Sequence, residues 1–154
     1  MIDTDSFGFT ITDVARMTRS LLEKRIATAG MGITAGEARA LIHIAALDGA
    51  RQNRIAERLG VEPMTACSYI DRLEQRGLVE RTPDPDDRRA KNVMTTDSAR
   101  QLIDNILDIG TAIREDALNG LSPAESEAMM AALRKVRRNL GKLLTSENED
   151  MAAK

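Results

Sequence analysis

The chain has 154 residues, of which 42 % are apolar and only 2 % aromatic, and its formal net charge is −2. This length suits a single domain over residues 1–154, and its many Ala, Leu, Ile and Met residues favour a mostly helical fold. No apolar run approaches the ~20 residues of a membrane span, the polar N-terminus does not resemble a signal peptide, and one cysteine excludes an intrachain disulfide. We therefore expect a cytoplasmic protein with no membrane partner.

The first predicted element is an amphipathic helix from about Thr10 to Ala29. Its apolar residues recur at helical spacing, and we expect them on a buried face: Ile11, Val14, Leu21, Leu22 and Ile26. Gly30 to Ile33 then interrupts the helix. Thr34 and Glu37 have the spacing of a capping box, which predicts a second helix through about Leu47.

Two further helices with a tight turn between them follow. Asn53 to Leu59 is short and amphipathic, and Gly60 stands where a helix needs a left-handed residue to end. After three residues, Pro63 opens a helix that runs to about Arg76. Proline suits this first position, because an N–H there would have no partner within the helix. This spacing predicts a helix–turn–helix.

A hairpin with a basic tip comes next. A strand at 78–81 leads into a loop at 82–87 that is rich in proline and aspartate, and a return strand covers 92–95. The basic residues of the tip are Arg88, Arg89 and Lys91. Together with the preceding helices, this hairpin predicts a winged helix–turn–helix over residues 34–95, a shape that places one helix in a DNA major groove.

The register of the helix from Pro63 assigns its faces. Ala66, Ile70 and Leu73 share one stripe and are predicted to face the core. The opposite face carries side chains that can hydrogen-bond base edges or phosphates, with Tyr69 on its flank. The predicted DNA contacts from this helix are Met64, Thr65, Ser68, Tyr69 and Arg72; those from the wing are Arg88, Arg89 and Lys91.

The net negative charge at first argues against a nucleic-acid partner, but the local distribution matters more. Charges are screened within about 8 Å at physiological salt, so the basic wing tip acts on phosphates near it. We therefore expect double-stranded DNA as a partner, with contacts shared across a dimer.

The C-terminal third predicts two long helices. One runs from Thr96 to about Leu118, and the other begins at a second capping box, Ser122 and Glu125, with a frayed tail from Glu147 to Lys154. Their apolar residues exceed what one small domain can cover. We expect residues 7–29 and 97–146 to act as dimerisation helices; a monomeric bundle is the alternative.

Catalysis is not indicated. The chain has one His, one Cys, one Tyr and no Trp, so His43 has no second histidine for a metal set or a nucleophile–base pair. We expect no enzyme activity, no cofactor and no metal site. His43 is either a partly buried structural residue or a wall of an effector pocket.

Three segments then resemble a known family. Residues 55–61, 71–81 and 84–91 look like the MarR family of bacterial transcription regulators, and 14–19 with 87–91 look more like its SlyA branch. The resemblance covers about residues 10–145. It implies a homodimeric repressor that binds a near-palindromic operator and responds to a small anionic or aromatic effector between the dimerisation helices and the winged region.

The same resemblance implies roles for Arg16 and Arg19, which match arginines of the SlyA branch and suit a carboxylate effector. Ser68 is a departure, because many relatives carry arginine there, and it leaves open a protein-interaction module that has lost DNA binding. Cys67, on the same helix, leaves open a redox-responsive regulator.

Overall fold

The structure is a computed structural model that describes residues 3–87 and 90–152, with the side chains of 149, 150 and 152 not described. Its elements in chain order are α1 (Phe7–Ala29), α2 (Ala35–Leu47), β1 (Ala50–Arg51), α3 (Gln52–Leu59), α4 (Pro63–Gln75), β2 (Val79–Pro83), β3 (Lys91–Thr95), a 3₁₀ turn (Asp97–Ala99), α5 (Arg100–Ala117) and α6 (Pro123–Ala152). The chain divides into two compact units, of which the first ends at Ile113 and the second begins at Arg114.

The first unit is a mostly helical winged helix–turn–helix, as predicted. Helices α2, α3 and α4 pack on one another and on the sheet, and α1 packs on α2. Burial is nearly complete for the largest core side chains: Ile26, Leu41, Ile44, Ile55, Ile70, Leu73, Val79 and Val93. Burying each such side chain contributes roughly 1.5–3 kcal/mol, so this core fixes the mutual placement of α2, α3 and α4.

The predicted helix signals are confirmed. Glu37 N–H donates to Thr34 Oγ1 at 3.2 Å and Thr34 N–H donates to Glu37 Oε2 at 2.9 Å, which closes the capping box of α2. Gly60 ends α3 with a left-handed φ of 65°, a conformation that costs glycine no steric strain. Pro63 is the first residue of α4.

The wing belongs to a three-stranded antiparallel sheet in the order β1-β3-β2. Val79 pairs with Thr95 and Pro83 with Lys91, so β2 and β3 form the predicted hairpin. Strand β1 was not predicted, because two residues carry no alternating pattern. It exists because Ala50 and Arg51 meet Val93 and Asn92 across the sheet.

Several sequence-based expectations are corrected. Helix α1 begins at Phe7 rather than Thr10, and three side chains expected on its buried face, those of Ile11, Val14 and Leu21, are exposed within the chain. A 3₁₀ turn precedes α5 where a continuous helix was expected from Thr96. The tail that was expected to fray continues α6 to Ala152.

The second unit contains the end of α5 and helix α6. Its capping box is confirmed, since Glu125 N–H donates to Ser122 Oγ at 3.3 Å and Ser122 N–H donates to Glu125 Oε2 at 2.8 Å. Most large apolar side chains of α6 are exposed, including Met130, Leu133, Leu140, Leu143 and Leu144. Within the described ranges, no helix combines the length and the apolar character that crossing a membrane requires.

Candidate nucleic-acid interface and cavity

The outer face of α4 is polar and open. Met64, Thr65, Ser68 and Arg72 are exposed, whereas Ala66, Ile70 and Leu73 on the opposite side are fully buried. The predicted register is therefore confirmed. The polar face can reach a DNA groove because the apolar stripe fixes the rotation of α4 against α2 and α3; the individual contacts stay predictions.

Arg72 on α4 is hydrogen-bonded to a side chain of the neighbouring helix α2. Its Nη1 donates to Glu37 Oε1 at 3.3 Å, and the Glu37 side chain is buried while that of Arg72 is largely exposed. The same carboxylate that caps α2 thus also positions the Arg72 guanidinium on the outer face of α4.

Tyr69 lies on the flank of α4 and is half-buried against α2. A Cβ added to Gly36 would stand 2.6 Å from Tyr69 Cζ, so only glycine leaves room for this ring. The phenol therefore packs on the first turn of α2, although it was predicted as a DNA contact. Its contact with DNA stays a prediction.

An arginine that sequence reasoning missed ties the wing to α4. Arg81 on β2 is mostly buried and pairs with Asp71 and Glu74 on α4. The residues lie seven and ten positions apart, and no local motif marks such a pairing. The ion pairs connect α4, the second helix of the helix–turn–helix and from here on called the recognition helix, directly to β2 of the wing.

A second missed cluster anchors the wing loop. Asp84 is buried; its Oδ2 accepts from Arg51 Nε at 2.8 Å, and its Oδ1 accepts from the backbone N–H groups of Asp86 at 2.9 Å and Asp87 at 3.1 Å. The hydrogen bond from Arg51, with those from the two backbone amides, lowers the pKa of Asp84 to about 2. Lys91 is exposed at the start of β3, and the predicted contacts Arg88 and Arg89 lie outside the described residues.

A small cavity lies within the first unit, between α1, α2 and α5. Its volume is about 180 Å³, and its lining is Leu22, Arg39, Ile42, His43, Ile106, Leu107 and Gly110. The walls are mainly apolar, with Arg39 and His43 as polar groups, which is the composition of a small-molecule site. Burial lowers the pKa of His43, and the nearby charges of Arg58 and Arg39 lower it further.

Of the three predicted effector residues, the cavity wall contains one. His43 lines it, whereas the Arg16 guanidinium is exposed and pairs with Asp13 at 2.9 Å. Arg19 is exposed, but its charge acts on Arg39. Arg39 itself was missed, because a single arginine within an apolar helix gives no local sign of a cavity.

Cys67 is half-buried on α4, with its Sγ 3.7 Å from Asp71 Oδ2. Activated thiols lie next to cations, and the group beside this one is an acid. Among residues 3–87 and 90–152, no three His, Cys, Asp or Glu side chains come together as a group able to hold a metal ion.

A packed helix–turn–helix with an exposed polar second helix, tied by ion pairs to a wing, defines the winged helix–turn–helix class of DNA-binding proteins. Comparison with known proteins gives the family. The model of the MarR family matches residues 33–91. The solved structure of transcriptional regulator PA3341 is 31 % identical, covers 89 % of this chain and 99 % of its own, and superposes with a TM-score of 0.77.

Two other relatives are also transcriptional regulators. The transcriptional regulator SlyA is 26 % identical in its solved structure, with a TM-score of 0.72 over 86 % of this chain and 92 % of its own. The uncharacterized HTH-type transcriptional regulator YybA of Bacillus subtilis is 28 % identical over 110 residues, 71 % of this chain and 73 % of that protein. The chain belongs to the MarR family of transcriptional regulators and is a DNA-binding regulator.

Proposed function

We propose that this regulator is a repressor that binds a near-palindromic operator as a homodimer. We further propose that a small anionic or aromatic effector weakens its hold on DNA. The observation that carries the proposal is the outer face of α4, where Thr65, Ser68 and Arg72 are exposed beside a wing that Arg51 and Arg81 fix in place. Side chains of these types can read base edges in a major groove.

The homodimer is supported by apolar surface that the chain itself does not cover. On α1, Phe7, Val14 and Leu21 follow each other at seven-residue spacing and are 60 %, 53 % and 40 % exposed. Helix α6 carries a second exposed set of leucines. Exposed apolar surface of this extent marks an interface. We infer that residues 7–29 and 97–146 form the dimerisation region and that residues 34–95 form the DNA-binding region.

A twofold dimer presents two copies of α4. Half-sites about 34 Å apart, one turn of the double helix, would then place each copy in a successive major groove. The operator is accordingly expected to be an inverted repeat, and the DNA next to the protein's own gene is the first place to search.

The cavity supports the effector. An engineered cavity of about 150 Å³ in another protein binds benzene, so about 180 Å³ suits a compound with one ring. Arg39 and His43 in its wall favour a carboxylate on that ring. We infer that Arg19 adds positive charge near the site. Arg16 is retained as a candidate on the resemblance of residues 14–19 to the SlyA branch, to which we assign the chain.

The test measures the affinity of the protein for duplex DNA from the flanks of its gene. Fluorescence anisotropy is used as the readout, at a series of salt concentrations. Thr65→Ala should relax preference at particular base pairs, at about 1–3 kcal/mol for each base read. Lys91→Ala, Arg88→Ala and Arg89→Ala should each weaken binding on all sequences and lower the salt slope by about one.

Lys135→Ala removes the same charge from α6. It should change neither the salt slope of DNA binding nor the preference for particular base pairs. If none of the α4 and wing variants alters DNA binding, the proposed interface is wrong. If the wild type binds no duplex at all, the chain is instead a protein-interaction module of this fold, the alternative that Ser68 left open.

A further inference from the structure

Arg39 stands between the cavity and the helix–turn–helix. It belongs to α2 and lines the cavity beside His43. Its Nη2 also donates to the backbone oxygen of Leu59 at 2.9 Å. Leu59 is the last residue of α3, and the last carbonyls of a helix have no partner within it. Arg39 therefore supplies a cap at the turn that leads into α4.

Among the residues that the structure describes, the charge of Arg39 is compensated only by groups that do not contact it directly. In the described part of the chain, no carboxylate forms an ion pair with it within 4 Å, and its partner at Leu59 is a neutral carbonyl. Burial lowers the pKa of Arg39, the like charge of Arg19 lowers it further, and Tyr69 and Glu23 act in the opposite direction. A guanidinium in such surroundings attracts an anion that enters the cavity.

Tyr69 connects the same point to the recognition helix. It extends from α4 and packs over Gly36 on α2, three residues before Arg39 and so on a neighbouring part of the same helix surface. The Arg39 side chain thus lies where the end of α3, the flank of α4 and the wall of the cavity meet.

We propose that Arg39 transmits effector binding to the recognition helix. A carboxylate in the cavity binds the guanidinium through two hydrogen bonds, which are stronger than one to a neutral carbonyl, and so draws Nη2 from Leu59. The turn between α3 and α4 loses its cap, and α4 no longer holds the orientation that fits DNA. This inference rests on the proposed effector response, because it assigns the residue through which that response acts.

The first measurement uses cyclohexanecarboxylate as the probe, because it does not absorb where tyrosine is excited. Tyr69 is the only tyrosine and the chain has no tryptophan, so tyrosine emission reports this position alone. In the wild type, the probe should change the emission and lower DNA affinity by about fivefold to a hundredfold. Cyclohexanecarboxamide, which has the same shape without the charge, should do neither.

The decisive variant is Arg39→Met. Its DNA affinity without probe should already be about fivefold or more below that of the wild type, and saturating probe should lower it no further. Arg39→Lys, which keeps one charged donor for Leu59, should restore the affinity without probe and at least part of the response. Circular dichroism of each variant shows that it is folded.

His43→Gln is the matched control, since His43 lines the same cavity but Arg39 is the side chain that donates to the Leu59 carbonyl. It should require more probe, yet at saturation it should lose as much DNA affinity as the wild type. A wild-type response that persists in Arg39→Met overturns the role of Arg39 and leaves the effector proposal standing. If the probe changes neither emission nor DNA affinity of the wild type, the effector proposal fails and the role of Arg39 fails with it.

Discussion

The Glu37 side chain contributes to both a helix cap and a contact between two helices. Its Oε2 accepts from the backbone of Thr34, which begins α2, and its Oε1 accepts from Arg72 on the recognition helix. The carboxylate is buried, so both partners also satisfy a group that would be costly to leave unpaired. A residue marked in the sequence as a helix cap therefore also orients a predicted DNA contact.

We expect His43 to make the proposed effector binding depend on pH. Burial lowers its pKa, so the imidazole is neutral at pH 7 in the free protein. A bound carboxylate favours the imidazolium, and binding then takes up a proton. We expect the affinity for cyclohexanecarboxylate, measured by tyrosine emission, to rise as the pH falls from 7.5 to 5.5. The ligand stays largely ionised over this range, since carboxyl groups titrate at lower pH.

The variant His43→Gln should bind the probe with an affinity that does not change over that range. The wild type should also lose stability as the pH falls below the ordinary histidine value of 6.5, because the unfolded chain binds the proton that the folded chain resists. Equal pH dependence of probe binding in both proteins would exclude His43 from the site.

Among elements, ion pairs connect the wing to the recognition helix and to β1. Arg81 joins β2 to α4, and Arg51 joins β1 to the wing loop through Asp84. In each of these ion pairs one side chain is largely buried, and a largely buried group with several hydrogen bonds favours one geometry over others. We infer that the wing and α4 approach DNA with a fixed separation.

Asp84→Asn tests this arrangement. It removes the charge that Arg51 contacts and so should loosen the wing loop and lower DNA affinity severalfold, although a negative charge near DNA has been lost. Because the pKa of Asp84 is about 2, its charge is present above the ordinary aspartate value of 3.8, and its stabilising effect is lost only as the pH falls towards 2. Anisotropy at pH 6 and at pH 8 should therefore give the same loss.

Asp86→Asn is the charge-matched control, since Asp86 lies in the same loop and gives Asp84 only its backbone N–H. It should leave DNA affinity unchanged or raise it slightly. If the two variants have the same effect, charge alone explains both and the anchoring role of Asp84 is wrong.

At the scale of the whole molecule, we infer that a second copy of the chain covers the exposed apolar side chains of α1 and α6. Val14→Asp places a charge in the stripe formed with Phe7 and Leu21. We expect it to shift the protein from dimer to monomer in analytical ultracentrifugation. It should also weaken operator binding by about a hundredfold or more, because the two recognition helices no longer act together.

Thr12→Asp adds the same charge to α1, at a position that helical spacing places opposite Val14. Thr12 is exposed, and the variant should remain a dimer that binds DNA like the wild type. A Val14→Asp protein that sediments as the wild type does would show that this stripe is not the interface.

The sequence by itself determined the features that depend on neighbours along the chain. Helical spacing set the buried stripe of α4, Gly60 and Pro63 set the turn before it, and Thr34 with Glu37 set the start of α2. Each signal spans a few residues, and its physical cause, backbone conformation or an unpaired N–H, acts over the same distance. For that reason the helix–turn–helix could be predicted from the amino-acid sequence alone.

Tertiary structure alone decided the contacts between distant residues. Arg39 reaches Leu59 across 20 positions, Arg51 reaches Asp84 across 33 and Arg72 reaches Glu37 across 35. Strand β1 and the cavity depend in the same way on which elements meet. Such pairs leave no periodic pattern in the amino-acid sequence, because they form only when the buried core fixes the helices and strands side by side. The polar face of the recognition helix thus follows from local sequence, while the contact between the cavity wall and the end of α3 follows from packing.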